Sequence, residues 1–160
     1  FNEVIKTFID SEEDLSDVDA IIFLPVLFLY NRSNEDEFHD YLDKVLSVSL
    51  FQGKNKILLK PHPREEIEKL ELVIQNRQEG NLFYFKHRHP IELYFNNSNP
   101  KVIAGNVSSA MLYHFLLYES KGTSYILTYG HKAYYAIEKQ ISFLKKRIGN
   151  RLTVLDISKE

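Results

Sequence analysis

Three short segments of the chain carry residues that could bind a phosphate or exchange a proton with it. The first is residues 60–65, Lys-Pro-His-Pro-Arg-Glu, in which two prolines flank one histidine. The prolines fix the backbone around His62, so its imidazole has little conformational entropy left to lose. Histidine exchanges protons near neutral pH, and Lys60 and Arg64 make the segment locally cationic. A rigid turn that merely exposes a histidine is the alternative interpretation.

The second segment is residues 105–110, Gly-Asn-Val-Ser-Ser-Ala, which we expect to open a helix. The hydroxyls of Ser108 and Ser109, together with the N–H groups of a helix N-terminus, form a site suited to an anion. Gly105 would let the backbone approach a ligand closely. Ordinary capping of the helix by Ser108 explains the same residues without a ligand. The pattern matches neither the Walker motif nor the dinucleotide fingerprint, which argues against a kinase or an NAD enzyme.

The third segment is residues 87–92, His-Arg-His-Pro-Ile-Glu. Two alternating histidines and a carboxylate could ligate a metal, but no second cluster completes the shell, so we expect none. Glu92 is better suited to accept hydrogen bonds from a ribose diol, although a carboxylate at a helix start also complements the helix dipole. Asp17 and Asp19 have the Asp-x-Asp spacing, but they precede the first predicted strand.

The elements that must position these segments alternate between short apolar runs and amphipathic stretches. Strands are predicted within residues 20–30 and at 56–60, 82–86, 102–105, 123–128 and 152–157, with helices at 35–49, 64–78, 90–95, 108–118 and 133–148. This alternation predicts βαβ units, and hence an α/β, Rossmann-like parallel sheet with helices on both faces. Because the chain shows no repeats or linkers, we expect residues 1–160 to form a single domain. Ligands of such sheets bind beyond the carboxyl ends of the strands, and each of the three segments follows a strand.

Composition narrows the function further. The 160 residues include no cysteine, which excludes disulfide scaffolds, Cys-ligated zinc, iron–sulfur clusters and thiol nucleophiles. The formal charge of −2 gives no broad cationic field, so we expect no nucleic-acid partner. The longest apolar run falls short of the roughly 20 residues of a membrane span, and no signal peptide is evident. We therefore expect a cytoplasmic location.

Basic residues cluster near the end of the last predicted helix. They either form its solvated face or make a weak contact with the anionic surface of the inner membrane. The residues are Lys139, Lys145, Lys146 and Arg147. Tyrosines are frequent in the same third of the chain, and they would pack in the core, against a further domain or against a second subunit in a homodimer.

Taken together, the segments 60–65, 89–92 and 105–110 resemble motifs of the bacterial sialyltransferases that decorate lipooligosaccharide or make polysialic acid capsule. The resemblance covers roughly residues 20–130. It implies a GT-B glycosyltransferase, in which two Rossmann-like domains face each other across a cleft. The chain would then be the C-terminal, donor-binding domain, as a fragment without the N-terminal acceptor domain.

The resemblance also implies a reaction and a role for each motif. The donor would be CMP-sialic acid, and the sialyl group would pass with inversion, and without a metal, to a cell-surface glycan. His62 would contact the CMP phosphate and protonate the leaving group, while Ser108 and Ser109 would hold the phosphate oxygens. Glu92 would bind the ribose hydroxyls. Two prolines, Pro63 and Pro90, would shape the turns.

The general base is where the chain departs from the family pattern. The family carries an Asp or Glu in a motif before the His-Pro turn, whereas residues 29–32 here are Leu-Tyr-Asn-Arg. Glu35 and Asp36 follow as candidates, although they equally suit the first turn of a helix. Otherwise the base lies in the N-terminal domain, or activity is lost.

Three alternatives stay open. The first is another GT-B transferase of capsule or teichoic-acid assembly that uses a donor such as CDP-glycerol or a UDP-sugar. The second is a non-catalytic module that binds a nucleotide or phosphate. The third is a purely structural domain.

Overall fold

The computed structural model describes residues 15–25, 34–77, 79–86, 90–92, 94, 100–108, 110–111, 113–114, 123–128 and 131–157. Several sequence-based predictions fall outside these residues. They concern the end of the run 20–30, the residues 87–89, Ser109 and most of the predicted helix 108–118.

The regular structure of the described residues includes six strands and three helices whose bounds are defined. The strands are β1 (Ala20–Phe23), β2 (Ile57–Lys60), β3 (Leu82–Tyr84), β4 (Val102–Gly105), β5 (Thr123–Thr128) and β6 (Leu152–Asp156). The helices are α1 (Glu35–Ser47), α2 (Ile67–Arg77) and α3 (His131–Ile148), and short 3₁₀ turns occupy Ser49–Phe51 and Gly149–Arg151.

All six strands join one parallel sheet in the order β3-β2-β1-β4-β5-β6. The chain runs outward from β1 to β3 and then crosses to the other side of β1 to form β4. The order therefore switches between β1 and β4, as in the Rossmann arrangement. Phe23 pairs with Lys60 on one side and with Gly105 on the other, so the three strands end at the same level. The predicted α/β, Rossmann-like sheet is confirmed.

Two apolar cores cover the two faces of the sheet, because successive side chains of a strand point to opposite sides. Ile22 and Leu59 lie in the core that contains the buried residues of α1 and α2. Ile21 and Leu58 lie in the opposite core, which contains the buried residues of α3. Such near-continuous apolar strands are typical of a parallel sheet buried on both faces.

Element ends follow local hydrogen bonding rather than hydrophobicity. Asn34 and Glu37 form a capping box at the start of α1, with Asn34 Oδ1 accepting the Glu37 N–H at 2.8 Å. The helix predicted from residue 64 begins at Ile67 because the preceding residues form a separate turn, in which the Glu65 N–H donates to the His62 carbonyl at 2.9 Å. Residues 61–66, between β2 and α2, are thereby left to build part of a site.

Candidate functional site

A cleft of about 540 Å³ opens at the carboxyl ends of β1, β2 and β4, where the strand order switches. Its walls are residues 60–63 after β2, residues 90–92, and residues 106–108 with Ala110 after β4. Phe23 and Leu24, at the end of β1, complete the lining. The structure thus brings together parts of all three segments that sequence analysis singled out.

His62 is held by the turn that carries it. The backbone N–H of Arg64 donates to His62 Nδ1 at 3.2 Å. An accepting Nδ1 carries no proton, which places the ring proton of the neutral imidazole on Nε2. Burial, and then the positive charge of Arg64, lower the pKa of His62 below its usual 6.5. Near neutral pH the side chain is therefore a neutral imidazole that can donate a hydrogen bond from Nε2.

Lys60 is the last residue of β2, and only 7% of it is exposed. Its Nζ donates to the carbonyl of Pro61 at 3.0 Å and lies 5.2 Å from the ring centroid of Phe85. Burial lowers the pKa of Lys60, and the negative charge of Glu92 opposes that shift. A cation is thus built into the wall of the cleft instead of extending into solvent.

Glu92 is carried by a turn anchored in the apolar core beneath the cleft. Its neighbours Ile91 and Tyr94 are 1% and 5% exposed. The ring of Tyr94 meets Phe85 edge-on, with 5.2 Å between the centroids. Glu92 itself is half-buried and lines the cleft, where its carboxylate can accept hydrogen bonds from a ligand.

Ser108 lines the cleft at the start of a helical turn. Its Oγ accepts the Ala110 N–H at 3.2 Å, and its carbonyl accepts the Met111 N–H at 3.2 Å. Ser108 therefore caps the turn, as the ligand-free interpretation predicts, while its hydroxyl hydrogen can still donate. The role of Ser109 lies outside the described residues.

Gly105 has a close neighbour, and that neighbour is protein backbone. Its φ is +121°, and a Cβ built on it would lie 2.1 Å from the Phe23 carbonyl oxygen. The glycine is thus required by the packing of β4 against β1. Approach of a ligand to Gly105 stays a prediction.

Some candidates of the sequence analysis lie away from the cleft walls. Arg64 is exposed and does not line the cleft, although its backbone N–H and its charge both act on His62. Ligand binding by the Arg64 side chain stays a prediction. Glu35 and Asp36 occupy the exposed first turn of α1 and do not line the cleft either. Their position fits the helix-start interpretation, and a role as general base stays a prediction.

The Asp-x-Asp residues lie at the other end of the sheet. Asp17 pairs with Lys56 Nζ at 2.6 Å, just before β2 begins. Asp19 Oδ2 accepts the Asn55 N–H at 2.9 Å, and this bond lowers the pKa of Asp19 most strongly. Across the described residues, no three His, Asp or Glu side chains lie together in a group that could hold a metal ion.

Sequence reasoning assigned no role to Asn106, which is exposed and lines the cleft. Its N–H donates to the Phe23 carbonyl at 2.9 Å, which fixes its backbone beside the end of β1. A polar residue directly after a predicted strand end was the available signal.

The basic residues of α3 are exposed, which agrees with both a solvated face and a contact with a membrane surface. Lys139, Lys145, Lys146 and Arg147 are all exposed, and the Arg147 guanidinium lies 4.9 Å from the ring centroid of Phe143. Among the helices of the described residues, none combines the length and the apolar character that crossing a membrane requires.

The strand order defines an α/β domain of the Rossmann-like class, and its polar cleft lies at the switch in strand order, where such domains usually bind ligands. Sequence comparison then identifies the family. The family model for alpha-2,8-polysialyltransferase (POLYST) matches residues 6–127, and the chain belongs to this family. It is therefore a glycosyltransferase of the sialyltransferase type. Among individually curated proteins, none matches the chain in sequence. The predicted resemblance to polysialyltransferases is confirmed, and that to lipooligosaccharide enzymes stays a prediction.

Proposed function

We propose that the chain is the C-terminal donor domain of a GT-B sialyltransferase, which transfers sialic acid from CMP-sialic acid to a cell-surface glycan with inversion and without a metal ion. One observation supports this most directly. The cleft at the switch in strand order joins His62, Glu92 and Ser108 within the span matched by the polysialyltransferase family. Its volume of about 540 Å³ lies in the range typical of small-molecule sites.

The donor would occupy the cleft with its phosphate between two turns. His62 Nε2 would donate to a phosphate oxygen from one side, and the hydroxyls of Ser108 and Ser109 would donate from the other. Glu92 would accept hydrogen bonds from the ribose hydroxyls. For His62 and Ser108, these assignments agree with the hydrogen bonds in the structure, in which His62 Nδ1 and Ser108 Oγ each accept a backbone N–H.

In the transfer step, an acceptor hydroxyl oxygen bonds to the anomeric carbon of the sialyl group. The bond from that carbon to the CMP phosphate breaks, and its electron pair goes to the phosphate oxygen. Donors placed around that oxygen stabilise the charge as it develops. Because a phosphate monoester has a second pKa of about 6, the leaving oxygen needs hydrogen bonds more than a full proton. We therefore assign His62 to hydrogen-bond donation, in place of the expected protonation.

The proton of the acceptor hydroxyl passes to a carboxylate base. Glu35 and Asp36 lie in an exposed helical turn and do not line the cleft. We therefore propose that an acceptor-binding domain supplies the base, as the GT-B architecture would allow.

The test is thermal unfolding of the chain with CMP. A ligand at 100 times its Kd stabilises a protein by about 2.7 kcal/mol, which raises the Tm of a domain of this size by about 5–10 °C. His62→Ala removes the Nε2 donor and should reduce this shift strongly. Arg64→Gln is the matched control, because Arg64 is a neighbouring cationic residue that does not line the cleft. It should retain most of the shift.

A panel of ligands separates the alternatives. CMP and CMP-sialic acid should both stabilise the chain, and UDP, CDP-glycerol and inorganic phosphate should do so much less. Stabilisation by UDP or CDP-glycerol alone would assign a different donor. If no nucleotide shifts the Tm at millimolar concentration, the proposed donor site is wrong.

A further inference from the structure

We infer that Lys60 is a positioning residue, whose buried ammonium holds the His-Pro turn and the Glu92 turn in the arrangement that a nucleotide requires. The inference rests on the proposed function, since it takes the ligand to be a CMP-type nucleotide. It differs from the expectation that Lys60 contacts substrate through its positive charge. In this assignment the ammonium acts on protein groups on both sides of it.

The first contact of Lys60 is with the His-Pro turn. The Nζ atom donates to the Pro61 carbonyl at 3.0 Å, one peptide unit before His62. Because Pro61 and Pro63 restrict the backbone, fixing this carbonyl also fixes the direction in which the chain leaves β2. The Arg64 N–H then sets the orientation of the imidazole through its bond to Nδ1. The lysine therefore supports the histidine from below.

The second contact of Lys60, with the ring of Phe85, connects it to the turn that carries Glu92. The Lys60 ammonium lies 5.2 Å from the ring centroid of Phe85, which is 0% exposed. Phe85 packs edge-on against Tyr94, two residues beyond Glu92. A cation over a buried aromatic ring is attracted to its face, so the ammonium and the ring hold each other in place. Lys60, at the end of β2, and Glu92 both line the cleft, so opposite charges share its wall.

Burial makes this arrangement costly to break. With 7% of Lys60 exposed, few water molecules can replace its contacts. Replacing Lys60 would remove both the bond to the Pro61 carbonyl and the cation beside the Phe85 ring. We infer that the two turns would then lose the arrangement that a nucleotide requires.

The first experiment needs no ligand. Urea unfolding is measured for the wild-type chain, Lys60→Met, Glu92→Gln and the double variant, and a double-mutant cycle gives the coupling between the two residues. We expect the coupling to change the unfolding equilibrium constant about fivefold, equivalent to about 1 kcal/mol. Strictly additive effects would overturn the link between Lys60 and Glu92.

The second experiment compares CMP with its 2′,3′-dideoxy analogue. In the wild type, the ribose hydroxyls should favour CMP about tenfold through Glu92. Lys60→Met should remove most of that preference, as Glu92→Gln does. If Lys60 contacted only the phosphate, its replacement would instead weaken the binding of both ligands equally and leave the preference for CMP over the dideoxy analogue unchanged. That outcome would overturn the positioning role.

Lys56 provides the matched control, because it flanks the other end of β2 and also lies near an aromatic ring. Its Nζ is 5.4 Å from the Phe83 centroid and pairs with Asp17, away from the cleft. Lys56→Met should retain both CMP affinity and the ribose preference. Coupling between Lys60 and Glu92 without any CMP binding by the wild type would refute the proposed donor and retain the structural link. CMP binding without coupling would refute the inference alone.

Discussion

Replacement of Gly105 by alanine tests the packing that places the cleft at the switch in strand order. The new Cβ would lie 2.1 Å from the Phe23 carbonyl oxygen, 2.7 Å from its nitrogen and 2.8 Å from its carbonyl carbon. All three atoms belong to the backbone of β1, which cannot move aside as the end of a side chain would. Either β1 and β4 separate, or the chain around Gly105 changes its path.

The magnitude follows from two contributions. A φ of +121° is a conformation that residues with a side chain rarely adopt, at a cost of order 1–3 kcal/mol. Forcing extra atoms into a packed region adds about 1–3 kcal/mol. We therefore expect Gly105→Ala to lose about 4 kcal/mol of unfolding free energy, a large part of the 5–15 kcal/mol typical of a domain.

Urea unfolding measures this loss, and Gly53→Ala is the matched control. Gly53 also has a positive φ of +70°, but nothing lies within 4 Å of the position its Cβ would take. Its replacement should cost only about 1–2 kcal/mol, from the backbone conformation alone. Equal losses for the two variants would refute the argument that β1 excludes a side chain at residue 105.

Three further results are expected. Burial lowers the pKa of His114 from 6.5 to about 4, so the unfolded chain binds a proton at this residue more readily than the folded chain; the free energy of unfolding should therefore be highest above pH 6.5 and fall by up to about 3 kcal/mol as the pH drops toward 4. In urea unfolding measured across this pH range, His114→Leu should make the free energy of unfolding depend less on pH, and an unchanged pH dependence would contradict the prediction. The Arg77 side chain, 10% exposed, pairs with both Asp43 and Glu79, so Arg77→Met should lower the free energy of unfolding by about 1–2 kcal/mol. Lys44→Met removes an exposed pair with Asp40 and should lower it by less than about 0.5 kcal/mol, so comparable losses for the two variants would contradict the prediction. Finally, CMP should raise the Tm equally with EDTA and with added Mg²⁺ or Mn²⁺, and a requirement for either ion would exclude the metal-free proposal.

The ends of the strands were predicted best where residues that disfavour a strand, such as glycine, lie at those ends. β4 and β5 have their predicted ends, and β4 is closed by Gly105. The apolar run from residue 20 extends well beyond β1, which ends at Phe23, so hydrophobicity alone did not locate that end. Likewise, the turn around His62 delays the start of α2 to Ile67, and helical spacing could not show this.

The site was predictable as a grouping of segments, and less so as a set of contacts. The rule for carboxyl ends brought His62, Glu92 and Ser108 to one place because it depends only on strand direction. The burial of Lys60 and the tight contact of Gly105 depend on register between strands far apart in sequence. Phe23 pairs with both Lys60 and Gly105, and this register cannot be predicted from the composition or hydrophobic pattern of the strands.

The end of β1 explains why polar groups from separate segments meet above it. The Leu24 N–H donates to the Lys60 carbonyl at 2.9 Å, and the Phe23 carbonyl accepts the Asn106 N–H at 2.9 Å. Backbone bonds thus hold the starts of both neighbouring turns. Beyond these bonds the chains diverge, since α2 packs in one core while Ala110 packs in the other. At the switch in strand order, the two neighbours of β1 are thus followed by segments that pack on opposite faces of the sheet. The cleft is therefore the space between two diverging segments, and its polar groups meet there because β2 and β4, from which those segments start, are both held to the end of β1.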